Sequence, residues 1–432
     1  MNQRNTLKYN KNILEIGGVS TLDLVKKFST PLYVFDEQHI LNMCNVFDSS
    51  LKKHYGNGMI SYASKAFCCK EIYRLVNSCN LGADVVSGGE LATALSVDFP
   101  TEKLIFHWNN KTIEELDFAI QNKVKYIVLD SYDEIDKLVA LCKKYNVVQD
   151  VLIRVNPGVE AHTHEYIQTA KVDSKFGFSI QNGDAESFIK KVLTFPELNL
   201  LGLHCHIGSQ IFEKESFVIA VEKMTDFYKQ IKTNLGINFS VLDLGGGFGI
   251  YYSGDDLKLA PSDYEGYVKT ISEALIKNVS EKGIDKPYLI LEPGRCLVGE
   301  AGITLYTVGG VKEIKDVKNY LSIDGGMFEN PRFALYQARY SVVPVKINGL
   351  PQKKYTLAGK CCESGDMIAE NVSLQETKSG DFLAVLSTGA YNYSMASNYN
   401  RNLIPPVVMV KNGISRLVVK GQTFEDLLKN DI

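Results

Sequence analysis

A lysine stands where a short apolar run ends, in Tyr62-Ala63-Ser64-Lys65-Ala66, and a primary amine held there can condense with a carbonyl to form a Schiff base. The ordinary fate of lysine is a solvated surface charge, so the reading depends on whether other residues build a pocket for that carbonyl. Several are of the right kind. Glu292 closes a second apolar run, where a carboxylate is costly without a partner. It either pairs with neighbouring Arg295 or binds a protonated ring nitrogen, which keeps a cofactor ring positive and electron-accepting. Gly245-Gly246-Gly247, Gly208-Ser209 and Gly294 each follow an apolar run. One such cluster is a tight turn; three suit a phosphate, because backbone free of side chains lets N–H groups approach an anion. His204 and His206 lie two apart, hence on one face of a strand, a spacing that also suits two zinc ligands. Only His107 adds to that set, so a metal-dependent barrel hydrolase is the weaker alternative. A flat imidazole stacked on a cofactor ring suits His206 better, and no metal site is expected.

Such residues meet only if the elements carrying them converge. Apolar runs recur at 59–62, 83–86, 103–106, 125–129, 150–155, 200–206, 239–244 and 288–291, with helical periodicity between them, as at 113–121 and 216–232. This alternation predicts an α/β fold, a (β/α)8 TIM-type barrel over residues 36–299, whose chemistry sits at the C-terminal ends of the strands. Those ends carry Lys65, Asp84, His107, Arg154, His204 to Gln210, Gly245 to Gly249 and Glu292 to Arg295. Past Gly299, strand-like runs at 303–311, 320–323, 341–347, 355–358, 381–386, 407–410 and 416–419 come without long helices. Residues 300–432, joined by a strand from residues 1–35, therefore form a second, all-β domain of sandwich or barrel type.

Bulk properties exclude several classes. With 432 residues, 45% hydrophobic and 22% charged, the chain can bury two cores, and its net charge of −3 lacks the basic excess of a nucleic-acid binder. No apolar run approaches the roughly 20 residues of a membrane span, and the first twelve residues hold no apolar signal core. Nine cysteines, an odd number scattered without zinc-like pairing, fit reduced thiols in the cytoplasm.

The motifs Tyr62 to Ala66, His206-Ile207-Gly208-Ser209-Gln210, Gly245 to Gly247, Glu292-Pro293-Gly294-Arg295, Cys362-Glu363-Ser364-Gly365-Asp366 and Gly389-Ala390-Tyr391 run in order along nearly the whole chain. Together they resemble the fold-type III pyridoxal-phosphate decarboxylases, whose barrel is of the alanine racemase kind. The resemblance implies that Lys65 holds pyridoxal 5'-phosphate, Glu292 pairs with its pyridine nitrogen and His206 stacks on its ring, with Asp84 close by. Ser209, Gly246, Gly247, Gly294, the backbone of Arg295 and the hydroxyl of Tyr391 would bind the phosphate. Cys362 would return the proton that replaces carbon dioxide. The family forms homodimers with shared active sites, in which the Cys362 loop enters the partner's barrel and Lys175 pairs with Asp366 across the interface. Arg295, Arg332, Tyr336 and Tyr391 would bind substrate, the arginines taking a distal carboxylate, and Glu363 would accept its distal ammonium. The implied reaction is decarboxylation of meso-2,6-diaminopimelate to L-lysine, the last step of lysine biosynthesis.

Three positions depart from the family pattern: Trp108 where glycine is usual, Phe333 where proline is common, and Phe328 where a small or polar residue is usual. They represent either ordinary packing or a tighter pocket with altered side-chain preference. A basic-amino-acid decarboxylase of the ornithine or arginine kind would share every cofactor residue, and Glu363 with Arg332 argues against it. A silent cofactor-binding paralogue would be expected to lose Lys65 or Cys362, and both are present.

Overall fold

The computed structural model describes residues 6–159, 175–254 and 256–432. The chain divides into two compact units, one of 43–249 and 261–294, the other of 1–42, 250–260 and 295–432.

In the first unit eight strands alternate with helices: β1 (Gly58–Ala63), β2 (Gly82–Val85), β3 (Leu104–Phe106), β4 (Tyr126–Leu129), β5 (Gln149–Asn156), β6 (Leu198–His204), β7 (Val241–Asp243) and β8 (Tyr288–Leu291). All pair in parallel, β8 pairs with β1, and the β4–β5 pairing closes the barrel. Met59, Ile105, Tyr126, Val128, Leu152, Leu201, Val241 and Ile290 form an apolar plug drawn from seven of the eight strands. Two-residue periodicity then carries inward-facing positions from this plug to the rim. Arg154, His204, Asp243 and Ile290 sit level across β5 to β8, and Ala63, Asp84 and Ile105 sit level across β1 to β3. On β5 and β7 the polar Arg154 and Asp243 lie two residues beyond the apolar Leu152 and Val241.

The second unit is built round the 13-residue strand Gly302–Ile314, which pairs antiparallel with Leu32–Asp36, Lys318–Ile323 and Phe382–Leu386. Leu32–Asp36 also pairs in parallel with Val407–Lys411, so a strand from the N-terminal end of the chain completes this sheet. Its core gathers Leu14, Ile16, Leu32, Val34, Ile303, Leu305, Ala384, Val408 and Val410. Helix Glu37–His54 then carries the chain into the barrel. Among the described residues, no helix is long and apolar enough to cross a membrane.

Candidate active site

The barrel rim concentrates charge. Lys65 lies in a single 3-10 turn, Ser64–Ala66, directly after β1. Asp84, His107, His204 and Glu292, at the ends of β2, β3, β6 and β8, are all buried. His204 Nε2 lies 3.3 Å from Glu292 Oε2, and His107 Nε2 lies 3.8 Å from the same oxygen and 3.3 Å from Asp84 Oδ2. The last contact lacks hydrogen-bond alignment. Both oxygens of Asp84, both nitrogens of His107 and Oε1 of Glu292 have no hydrogen-bond partner. Buried polar groups are nearly always paired, so this concentration marks a place built for something else.

The electrostatics separate the three carboxyls. Burial, and then the charge of Glu292, pushes Asp84 and Asp243 well above the usual carboxylate range. Burial works against the charge of Glu292 too, but His204, His107 and Lys65 outweigh it and hold Glu292 below its ordinary value. Burial also lowers His107 and His204, favouring their neutral forms, and His204 Nε2 lies within hydrogen-bond distance of Glu292 Oε2. The same pocket thus pushes Glu292 towards its ionised form and the other two carboxyls away from it. His206 keeps some solvent contact, yet it lies deep enough that burial, with Lys65 and Arg154, holds it neutral as well.

The sequence spacing placed His204 and His206 on one strand face, but β6 ends at His204. His206 falls in irregular backbone beyond it, where its Nδ1 accepts the N–H of Gly246 at 3.3 Å. The histidine pair is therefore split, and His206 belongs to the glycine loop. That loop has no room for side chains: a Cβ on Gly246 would come within 2.1 Å of the Glu292 carbonyl oxygen. Gly247, at φ +113°, adopts backbone that L residues rarely reach.

A second cluster lies within the β-rich unit. Tyr252 Oη accepts from Arg295 Nη1 and, at 2.9 Å, from Arg332 Nη1, which also donates to Tyr340 Oη at 3.0 Å. The Arg295 guanidinium lies 4.7 Å from the Tyr391 ring centre, within cation–π range. Burial alone would raise the Tyr252 phenol, but the two guanidiniums hold it below its ordinary value. Sequence reasoning named Arg295, Arg332 and Tyr391 and missed Tyr252 and Tyr340. Arg332 is the buried residue of the short helix Arg332–Tyr336, whereas Tyr336 at its other end is exposed.

Cys362 and Glu363 are exposed on a loop of the same unit, with the Cys362 N–H donating to Asn400 Oδ1 at 2.8 Å. Asp366 is buried and accepts the N–H groups of Met327 at 2.6 Å and Cys361 at 2.7 Å. Its carboxylate ties the backbone at Met327 to that at Cys361. The expected pairing of Asp366 with Lys175 joins two subunits; within one chain the Lys175 ammonium lies 5.6 Å from the Trp108 ring centre and 4.9 Å from that of Phe176. Phe328 is buried, and Phe333 and Trp108 are half-buried.

Residues 39–299 match the pyridoxal-binding domain of the pyridoxal-dependent decarboxylases. The chain is 48% identical over 420 residues to the diaminopimelate decarboxylase of Bacillus subtilis (strain 168), covering 97% of this chain and 95% of that one. It is 45% identical to that of Staphylococcus aureus (strain COL), covering 99% of both. The diaminopimelate decarboxylase of M. jannaschii, solved in complex with L-lysine, superposes with a TM-score of 0.92 at 33% identity, covering 100% of this chain and 99% of that one.

Proposed function

Because this chain belongs to the diaminopimelate decarboxylase family of pyridoxal-dependent decarboxylases, we infer that it removes one carboxylate from meso-2,6-diaminopimelate, releasing carbon dioxide and L-lysine. The observation that carries this reading is the ionised, buried Glu292, its Oε1 without a partner, on the rim that also bears the amine of Lys65.

Pyridoxal phosphate fits these residues. The unpartnered oxygen of Glu292 can take a ring N–H, and the backbone at Gly247 lies where no side chain could block a phosphate. Lys65 would hold the group by its Nζ, His206 would flank the ring, and Ser209, Gly294, Arg295 and Tyr391 would complete the phosphate set. When bound, the coenzyme supplies a positive ring that takes up the electron pair of a breaking carbon–carbon bond. The chain's own work is to keep that ring positive, and an ionised Glu292 serves this better than a protonated carboxyl could. Burial and the charge of Glu292 both work against a second charge at Asp84.

Arg295 and Arg332 suit a second carboxylate on the substrate, with Tyr336 and Tyr391 beside them and Glu363 for its distal ammonium. Ornithine lacks that second carboxylate and has no use for two buried guanidiniums. Cys362 would return the proton, and its exposure fits a loop that completes a partner's barrel in a homodimer. The test is a panel of meso-diaminopimelate, its LL isomer, ornithine, arginine and lysine, offered to the coenzyme-loaded protein. Carbon dioxide and L-lysine should appear from the meso isomer alone. Faster turnover of ornithine or arginine would overturn the assignment.

A further inference from the structure

Three side chains on the barrel rim offer ligand atoms close enough together for one metal ion. His107, His204 and Glu292 each offer one, all within 4.8 Å of one another. A tetrahedral zinc ion with bonds of about 2.0–2.1 Å sets its ligand atoms roughly 3.3–3.4 Å apart. The contacts of 3.3 Å between His204 and Glu292 and 3.8 Å between His107 and Glu292 are within a few tenths of that edge.

The donors also have atoms to spare. Neither nitrogen of His107 has a hydrogen bond to give up, and Nδ1 of His204 and Oε1 of Glu292 have none either.

We propose that the coenzyme-free protein captures one divalent transition-metal ion of the zinc type on His107, His204 and Glu292, and that ion and coenzyme exclude each other. The exclusion rests on the assignment of Glu292 to the coenzyme ring, since one carboxylate cannot serve both.

Cobalt is the probe, because a tetrahedral cobalt(II) centre is visibly coloured. Protein stripped of coenzyme should take up one cobalt per chain with strong visible bands, lose them when zinc is added, and lose them again to excess pyridoxal phosphate. Glu292→Gln, which keeps shape and volume, and His107→Ala should each weaken cobalt binding at least about 10-fold, with circular dichroism confirming that the variants fold. The proposal falls if no tetrahedral spectrum appears, if the bands carry thiolate charge transfer from the free cysteines, or if both variants bind cobalt as wild type does. Cobalt that remains after the coenzyme has bound overturns the exclusion. The cobalt spectrum is read without substrate, so failure of the decarboxylase assignment would show separately in the substrate panel.

Discussion

Tyr252 joins two arginines through one oxygen. Each guanidinium donates to it, and a hydrogen bond to a charged group contributes about 1.5–3 kcal/mol. Tyr252→Phe removes the acceptor and leaves the ring that both cations face. If the arginines take the distal carboxylate, KM for meso-diaminopimelate should rise on the order of 10-fold or more, since 1.4 kcal/mol is a factor of ten. The coenzyme's visible absorbance should stay unchanged. Steady-state kinetics beside a spectrum checks both, and an unaltered KM would remove Tyr252 from the substrate machinery. At this scale the sequence was legible wherever chemistry coincided with the end of a strand, as at Lys65, Asp84 and Glu292. Tyr252 and Tyr340 end no barrel strand, and Tyr252 lies 43 and 80 residues from the arginines that only the tertiary fold brings to it.

Two elements owe their form to buried charge. Between the ends of β3 and β4, the ammonium of Lys111 donates to the carbonyls of Trp108 at 2.8 Å and Val128 at 2.7 Å, and lies 3.1 Å from Glu134 Oε1. Glu134 in turn accepts the N–H groups of Lys111 at 3.0 Å and Asp130 at 2.9 Å. Lys111 therefore pins the loop that presents His107. Lys111→Met leaves the Glu134 carboxylate buried without a cation and should cost about 3–5 kcal/mol in urea denaturation. The double variant with Glu134→Gln should recover part of that loss, and a single-variant cost under about 1 kcal/mol would contradict the account.

In the β-rich unit, Glu329 accepts from Tyr306 Oη at 2.6 Å while its Oε2 has no partner. Burial pushes its carboxyl up to about 8, against the lowering effect of the Tyr306 bond. Between its ordinary value and about 8 the folded protein holds a proton that the unfolded chain has lost. That proton's contribution to stability is complete at low pH and falls as pH rises, by at most about 1.4 kcal/mol per unit. Urea melts of wild type and Glu329→Gln at pH 5, 6, 7 and 8 should show the wild type losing ground steadily. A difference that stays flat over this range would sink the assignment.

For the whole molecule, the barrel was readable because each of its strands is a short apolar run set between helical segments, and the two periodicities alternate cleanly. The strand Met367–Gln375 was not, because Glu370 and Asn371 interrupt its apolar pattern and Asn371, at φ 55°, breaks the extended backbone. The opening meander of Lys8–Asn10, Ile13–Ile16 and Val19–Ser20 has strands too short to display an alternation. The grouping of 250–260 with the β-rich unit, which brings Tyr252 to its arginines, has no local signature at all. Quaternary structure is the remaining level. Cys362 is exposed, and the proposed homodimer makes it serve the barrel of another subunit. Lys65→Ala and Cys362→Ala should each be inactive, the first because its barrel cannot hold the coenzyme, the second because its loop cannot return the proton. Mixed in equal amounts and allowed to exchange subunits, they pair at random and give about half heterodimers. In each heterodimer one site combines an intact Lys65 with an intact Cys362, while the other lacks both. Activity should therefore recover to about a quarter of wild type, measured after native mass spectrometry has verified the exchange. If exchanged mixtures stay inactive, each site is built from one chain, and Cys362 does not reach a partner.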